Sequence, residues 1–205
     1  MQFVVGMDGK RLRRALVGTA VVMTLATGCR SASSDSTSGS GPPQGETVTL
    51  PTPKTTGATP LETVINRRRS QRDFGPAALS PDELVQLTWA AQGLTDKERG
   101  LRASPSAGAL YPLELYLVDG KGVSHYDPAH NSLRLATPGD HRADLAHVAV
   151  GQPQLGTAAA NLVFTGVTTR LRPKYGDRAE RYAFIEVGHA AENVQYIVSV
   201  GRPAK

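Results

Sequence analysis

Four arginines within six positions, Arg67, Arg68, Arg69 and Arg72, crowd around the hydroxyl of Ser70 in the stretch RRRSQRDF. Guanidinium forks bind phosphate through paired N–H donors, so this cluster suits a phosphorylated or otherwise anionic ligand. The same residues also suit a solvated basic helix end, where cations offset the C-terminal dipole. A second stretch, RASPSAGALYP, gathers Ser104, Pro105, Ser106, Ala107 and Gly108. Residues this small let backbone amides approach a flat ring or a phosphate, although a tight loop feeding a core strand has the same composition. A third stretch, LRPKYGDR, sets Lys174 and Tyr175 among Arg170, Arg172, Arg178 and Arg181. Like charges and burial both favour a neutral lysine, which can then take a proton. The alternative is a surface turn built on Pro173 and Gly176 with its lysine in solvent. His189 has no second His or carboxylate at ligand spacing, so it reads as a helix-packing residue and no metal site is expected.

Local patterns suggest the elements that hold these residues. PLETVINRRR reads as a helix opened by Pro60, with the arginines at its end. SPDELVQLTWAAQG has Ser80 as N-cap, Pro81 at the first helical position, Glu83 at the capping-box position and Gly93 as the stop. LELYLVDGKGVSHYD alternates Leu113, Leu115 and Leu117 with Glu114, Tyr116 and Val118 and turns at Asp119-Gly120, which predicts a hairpin; SLRLAT adds a short strand. HRADLAHVAVGQ and PQLGTAAAN read as helices, LVFTGVTTR as a buried strand, and DRAERYAFIEVGHAAENVQ as a long helix with Tyr182, Ile185, His189 and Asn193 near one face. Trp89 and Phe74 are expected in the core. Helices mixed with antiparallel strands, without a βαβ rhythm, indicate an α+β fold.

Composition narrows the classes of function. The 205 residues carry a formal charge of +5, but six basic residues before position 60 (Lys10, Arg11, Arg13, Arg14, Arg30 and Lys54) face only three acidic ones there. The rest of the chain is nearly balanced and has no basic field of the kind that tracks a phosphate backbone, so nucleic acid is not an expected partner. A single cysteine excludes an internal disulfide. Cys29 follows a basic stretch and an apolar run from Ala15 to Gly28, which as a helix would span only ~21 Å and so fits a signal peptide better than a membrane-spanning helix. The Ala-Thr-Gly-Cys ending resembles a bacterial lipoprotein box, which would make Cys29 the lipidation site; ordinary cleavage or an uncleaved anchor is the alternative. Residues 30–59, rich in Ser, Thr, Gly and Pro, are expected to be a disordered linker. The expected organisation is therefore a signal peptide at 1–29, a linker at 30–59 and a folded domain at 60–205. The protein would be exported and membrane-anchored on the bacterial cell envelope.

Three motifs taken together carry a family resemblance: R-R-S-x-R-x-F, then P-S-A-G-A-L-Y-P-L-E, then K-Y-G-x-R-x-x-R-Y ahead of an E-x-G-H helix. In this combination the chain resembles the nitroreductase-like flavoproteins, and within them the SagB-type dehydrogenases, a branch that includes thiazoline and oxazoline oxidases. The resemblance implies a central, mostly antiparallel sheet flanked by helices, FMN as cofactor, a homodimer, and hydride transfer between the flavin and a small-molecule or peptide substrate. It implies that Arg68, Arg69, Ser70 and Arg72 hold the ribityl phosphate and pyrimidine edge, and that Ser106, Ala107 and Gly108 pass beside the isoalloxazine. Lys174 and Tyr175 would be the catalytic pair that removes a proton. Relatives insert a Gly-Leu-Gly turn, a strand and a helix where Gln195 here meets Tyr196 directly, so the C-terminal part reads as incomplete and Tyr196–Val200 as a closing strand, the alternative being one long helix that absorbs this run. On that expectation one wall of the phosphate pocket is missing. This leaves open a non-catalytic relic, or an anion-binding module that no longer holds FMN.

Overall fold

A computed structural model of the protein describes residues 4–6, 45–75, 77–149 and 151–197. Its centre is a six-stranded sheet of β1 (Val4–Gly6), β2 (Thr47–Thr49), β5 (Leu113–Asp119), β6 (Gly122–Asp127), β7 (Ser132–Pro138) and β8 (Ala160–Gly166), in the order β1-β8-β5-β6-β7-β2. Every pairing is antiparallel except that of β1 with β8. A small separate ribbon joins β3 (Leu94–Asp96) to β4 (Leu101–Arg102). The helices are α1 (Leu61–Arg67), α2 (Pro81–Gln92), α3 (Arg142–Val148), α4 (Pro153–Thr157), α5 (Arg172–Tyr175) and α6 (Ala179–Ile197).

Side-chain alternation sets the layers. Leu113, Leu115 and Leu117 of β5, with Leu162 and Phe164 of β8, face a core shared with Val85, Leu87, Ala90 and Ala91 of α2 and Val187, Ala190 and Val194 of α6. The opposite faces of the same strands contribute Val118 and Val163 to a second core with Leu145 and Leu155 from α3 and α4. Because helices cover both faces of β8, six of its seven residues are buried, and its sequence is nearly continuous apolar rather than alternating.

Helix α2 begins as its sequence dictates. The Ser80 hydroxyl accepts the Glu83 N–H at 3.3 Å, the Glu83 carboxylate accepts the Ser80 N–H at 2.7 Å, and Pro81 opens the first turn. It closes at Gly93, whose N–H donates to the Trp89 carbonyl at 2.8 Å; a Cβ here would lie 2.6 Å from Trp89 Cα, so the position requires glycine.

Several expectations are corrected. The folded domain starts before Pro60: β2 pairs with β7 through Thr47, Val48 and Thr49, Leu50 is buried in the main core, and Lys54 exchanges two backbone hydrogen bonds with the Gln86 side chain. A short Thr-Val-Thr-Leu run inside a polar stretch is enough for an edge strand, because its partner supplies the ladder. The helix expected through Asn161 stops at Thr157, and β8 takes up the chain from Ala160, where the sheet offers hydrogen bonds that a free helix end would lack. The strand expected from Tyr196 does not begin there, since α6 continues through Ile197; with no Gly or Pro at the junction, extending a formed helix costs less than starting a new element. The core face of α6 is Ala179, Ala183, Val187, Ala190 and Val194, while Ile185 and His189 are exposed, so His189 is not a packing residue. Phe74 is only half-buried, and Trp89 packs half-buried against the main core. Val4–Gly6 of the expected signal segment lies against β8. The Ala15–Gly28 run, Cys29 and residues 198–205 lie outside the described residues. Among the described residues no helix is long and apolar enough to cross a membrane.

Candidate functional site

Strand register brings two of the three motifs together. Leu113 at the start of β5 pairs with Gly166 at the end of β8, so the loop entering β5 and the segment leaving β8 meet at one end of the sheet. The Val167 N–H donates to the Pro112 carbonyl at 2.8 Å and seals the junction. From there a 3₁₀ turn (Thr168–Arg170) leads into α5, and the fully buried Leu171 anchors it beside Ala179 and Ala183 of α6, with Ala107, Leu110 and Tyr175 packed around.

The Ser106–Tyr111 loop is strained where it meets α5. Gly108, Ala109 and Tyr111 have φ of 62°, 54° and 43°. The left-handed region costs a residue with a side chain about 1–2 kcal/mol, and such strain concentrates at functional sites. A Cβ on Gly108 would lie 2.8 Å from Lys174 Nζ and 2.9 Å from Tyr175 Oη, so a side chain here would be strained by the backbone angle and would push these two side-chain tips aside. The Lys174 ammonium lies 5.6 Å from the centroid of the Tyr175 ring, which in turn meets Tyr182 edge-on at 4.9 Å. Lys174 itself is exposed, so the burial expected for a proton-taking lysine is not found and its position matches the surface-turn alternative.

Two carboxylates hold this loop, and sequence reasoning assigned neither a role. Glu186, buried on α6, accepts the Ala107 N–H at 2.9 Å and a hydrogen bond from Ser106. Burial pushes its carboxyl above the usual range, and these hydrogen bonds only partly offset that. Glu114 accepts His125 Nε2 at 2.6 Å on one oxygen and Arg170 Nη2 on the other. Burial would raise its carboxyl, but the His125 and Arg170 hydrogen bonds prevail and hold it below the usual range. Arg170 also donates through Nη1 to the Tyr111 carbonyl at 2.8 Å. Across the loop, the Tyr111 hydroxyl accepts the Arg102 N–H at 3.2 Å, and the Arg102 guanidinium sits 4.7 Å over the Tyr111 ring. Asn193 of α6 ties down the loop's approach by donating to the Ala103 carbonyl and Ser104 Oγ. Glu114 was visible in the sequence as the polar member of an alternating strand, and Glu186 as the first residue of the E-x-G-H helix, but neither pattern names a partner.

The arginine motif does not converge on this loop. Arg68 donates to Gln195 near the far end of α6 at 3.4 Å, nine residues and about 14 Å of helix rise from Glu186. Arg69 folds back onto the carbonyls of Asn66 and Arg68 at 3.0 and 2.6 Å, satisfying the end of its own helix. Ser70 and Arg72, with Phe74, line a separate cavity of about 100 Å³ against Gln154, Leu155, Ala160 and Asn161 at the start of β8. Among the described residues neither Arg68 nor Arg72 is in an ion pair. Their guanidinium groups remain available to an anionic ligand, and a glycine-lined loop faces a lysine–tyrosine pair, so this donor set fits FMN in part.

A central, mostly antiparallel sheet flanked by helices on both faces defines a nitroreductase-like α+β fold. The sequence profile of the Nitroreductase family matches residues 65–198, and the chain belongs to that family. It is 39% identical over 140 residues to a nitroreductase-family protein of Methanocaldococcus jannaschii, an alignment covering 65% of this chain and 70% of the relative. Among solved structures it is similar to a nitroreductase-family protein of Ralstonia eutropha JMP134, with a TM-score of 0.67 at 30% identity over 74% of this chain and 70% of that one. It shares its fold with a chain of the Escherichia coli microcin synthetase complex, with a TM-score of 0.53 at 20% identity over 96% of this chain and 69% of that one.

Proposed function

We propose that the protein is an FMN-dependent oxidoreductase of the SagB-type dehydrogenase branch, working as a homodimer on a small-molecule or peptide substrate. Family membership supports oxidoreductase chemistry. The observation that carries the finer reading is the close approach of the strained Gly108 backbone to Lys174 Nζ and Tyr175 Oη. On this reading Arg68, Ser70 and Arg72 take the phosphate and pyrimidine edge, Arg69 is held by the carbonyls of its own helix end, and Ser106, Ala107 and Gly108 lie beside the isoalloxazine. When bound, the flavin supplies a two-electron acceptor or donor. Lys174 Nζ removes a proton from the substrate, and the apolar packing of Leu110, Leu171 and Tyr182 holds the neighbouring Tyr175 in place. Purified protein with flavin absorbance, releasing one FMN per chain on denaturation, is the expected result. Colourless protein that does not bind added FMN rejects the reading.

A second reading, an anion-binding or non-catalytic domain, draws on a specific observation: Arg68, Arg69 and Arg72 point to three different partners rather than one pocket. The flavin titration separates the two. Export and tethering through Cys29 complete the proposal. A Cys29→Ala variant should leave the membrane fraction or keep its leader, and identical cytoplasmic fractionation of both proteins would reject it.

A further inference from the structure

We propose that Arg170 and Glu114 are positioning residues that clamp the Gly108 loop against the Lys174–Tyr175 pair. Their link to proton removal rests on the function proposed above, whereas the clamp itself does not.

One guanidinium makes the connection. Arg170 ends the 3₁₀ turn that leads into α5, the helix that carries Lys174 and Tyr175. Its Nη1 holds the carbonyl of Tyr111, the last strained residue of the loop, and its Nη2 holds the Glu114 carboxylate on β5. The loop exit, a central strand and the segment bearing the pair therefore share one side chain. Glu114 cannot move away, because its other oxygen is engaged by His125 on β6, whose ring also lies 5.1 Å from that of Tyr116. Period-two alternation places Glu114, Tyr116 and the cross-strand His125 on the same sheet face, so the anchor is built into the central sheet. The geometry needs a planar fork. Lysine supplies the charge but cannot reach two acceptors at once in fixed directions.

The loop offers a direct readout, since four of its amides are hydrogen-bonded: Ala107 to Glu186, Ala109 to the Ser106 carbonyl, Leu110 to the Ala107 carbonyl, and Tyr111 to Ser106 Oγ. Hydrogen exchange followed by mass spectrometry should show the 104–112 peptide exchanging at least ten-fold faster in Arg170→Lys and Glu114→Gln than in wild type, with β5–β8 peptides unchanged. Arg99→Lys, which alters a surface pair with Asp96, is the control and should change nothing in that peptide. Unchanged loop exchange, or an equal rise in every peptide, overturns the clamp. The link to chemistry is tested by a double-mutant cycle on substrate-dependent flavin reduction. Arg170→Lys should slow it about ten-fold when Lys174 is present and have no effect in a Lys174→Ala background; equal slowing in both backgrounds overturns the link. If the protein holds no flavin, the proposed function and this link fail together, and the exchange comparison still decides the clamp.

Discussion

Two residues of the arginine motif differ in a way that can be measured. Arg68 and Arg72 have no carboxylate partner among the described residues, while Arg69 is spent on the end of its own helix. Replacing Arg68 or Arg72 with Ala should weaken FMN binding by roughly 1.5–3 kcal/mol, about ten- to a hundred-fold, whereas Arg69→Ala should leave it nearly unchanged and destabilise α1 instead. Fluorescence titration of flavin against the three variants checks this. The two loop-holding carboxylates should also show opposite pH linkage. Glu114 is held below its usual range, so its contribution is complete above the unfolded value and is lost as pH falls toward the folded one. Glu186 is raised, so its contribution is complete below the unfolded value and is lost as pH rises through the folded one. Urea unfolding from about pH 4 to about pH 7 should therefore show the stability gap between wild type and Glu114→Gln widening with pH, and that between wild type and Glu186→Gln moving in the variant's favour.

Element boundaries were set by different forces. The start of α2 is local, decided by Ser80, Pro81 and Glu83 within one turn, and Ser80→Ala should cost about 1 kcal/mol in chemical denaturation without altering the fold. The end of α6 is not local. Tyr196 and Ile197 have the composition of a strand, yet they extend a helix already packed through Ala190 and Val194. Tyr196→Pro should shorten α6 and release Arg68 from Gln195, which would appear as lost helical circular dichroism and faster exchange in the 61–75 peptide.

For the whole molecule, the boundary of the folded unit is the clearest test. Leu50 is buried in the main core and β2 completes the sheet edge beyond β7. A chain beginning at Pro60 loses both and should be less stable than one beginning at Gly45 by about 2–4 kcal/mol, of which Leu50 alone accounts for roughly 1.5–3. Equal unfolding midpoints for the two chains would mean that this edge adds nothing to the core.

Sequence by itself determined what depends on short-range chemistry. The capping box, the β5–β6 hairpin, the apolar β8 and the α+β class all follow from periodicity and turn residues that act within a few positions. The motif residues Ser106, Gly108, Lys174 and Tyr175 were singled out by type alone, as small residues in a loop and a lysine among arginines. Tertiary structure decided which of them meet. Gly108 and Lys174 are neighbours only because β5 and β8 pair with Leu113 opposite Gly166, and Glu114 reaches Arg170 across 56 residues for the same reason. The arginines, adjacent in sequence, were parted by that folding, since Arg68 follows α6 and Arg72 follows the start of β8. Burial of Glu186 and strand formation at Thr47–Thr49 each depend on a partner surface that no local pattern encodes, because burial and strand pairing are set by contacts between segments far apart in the chain.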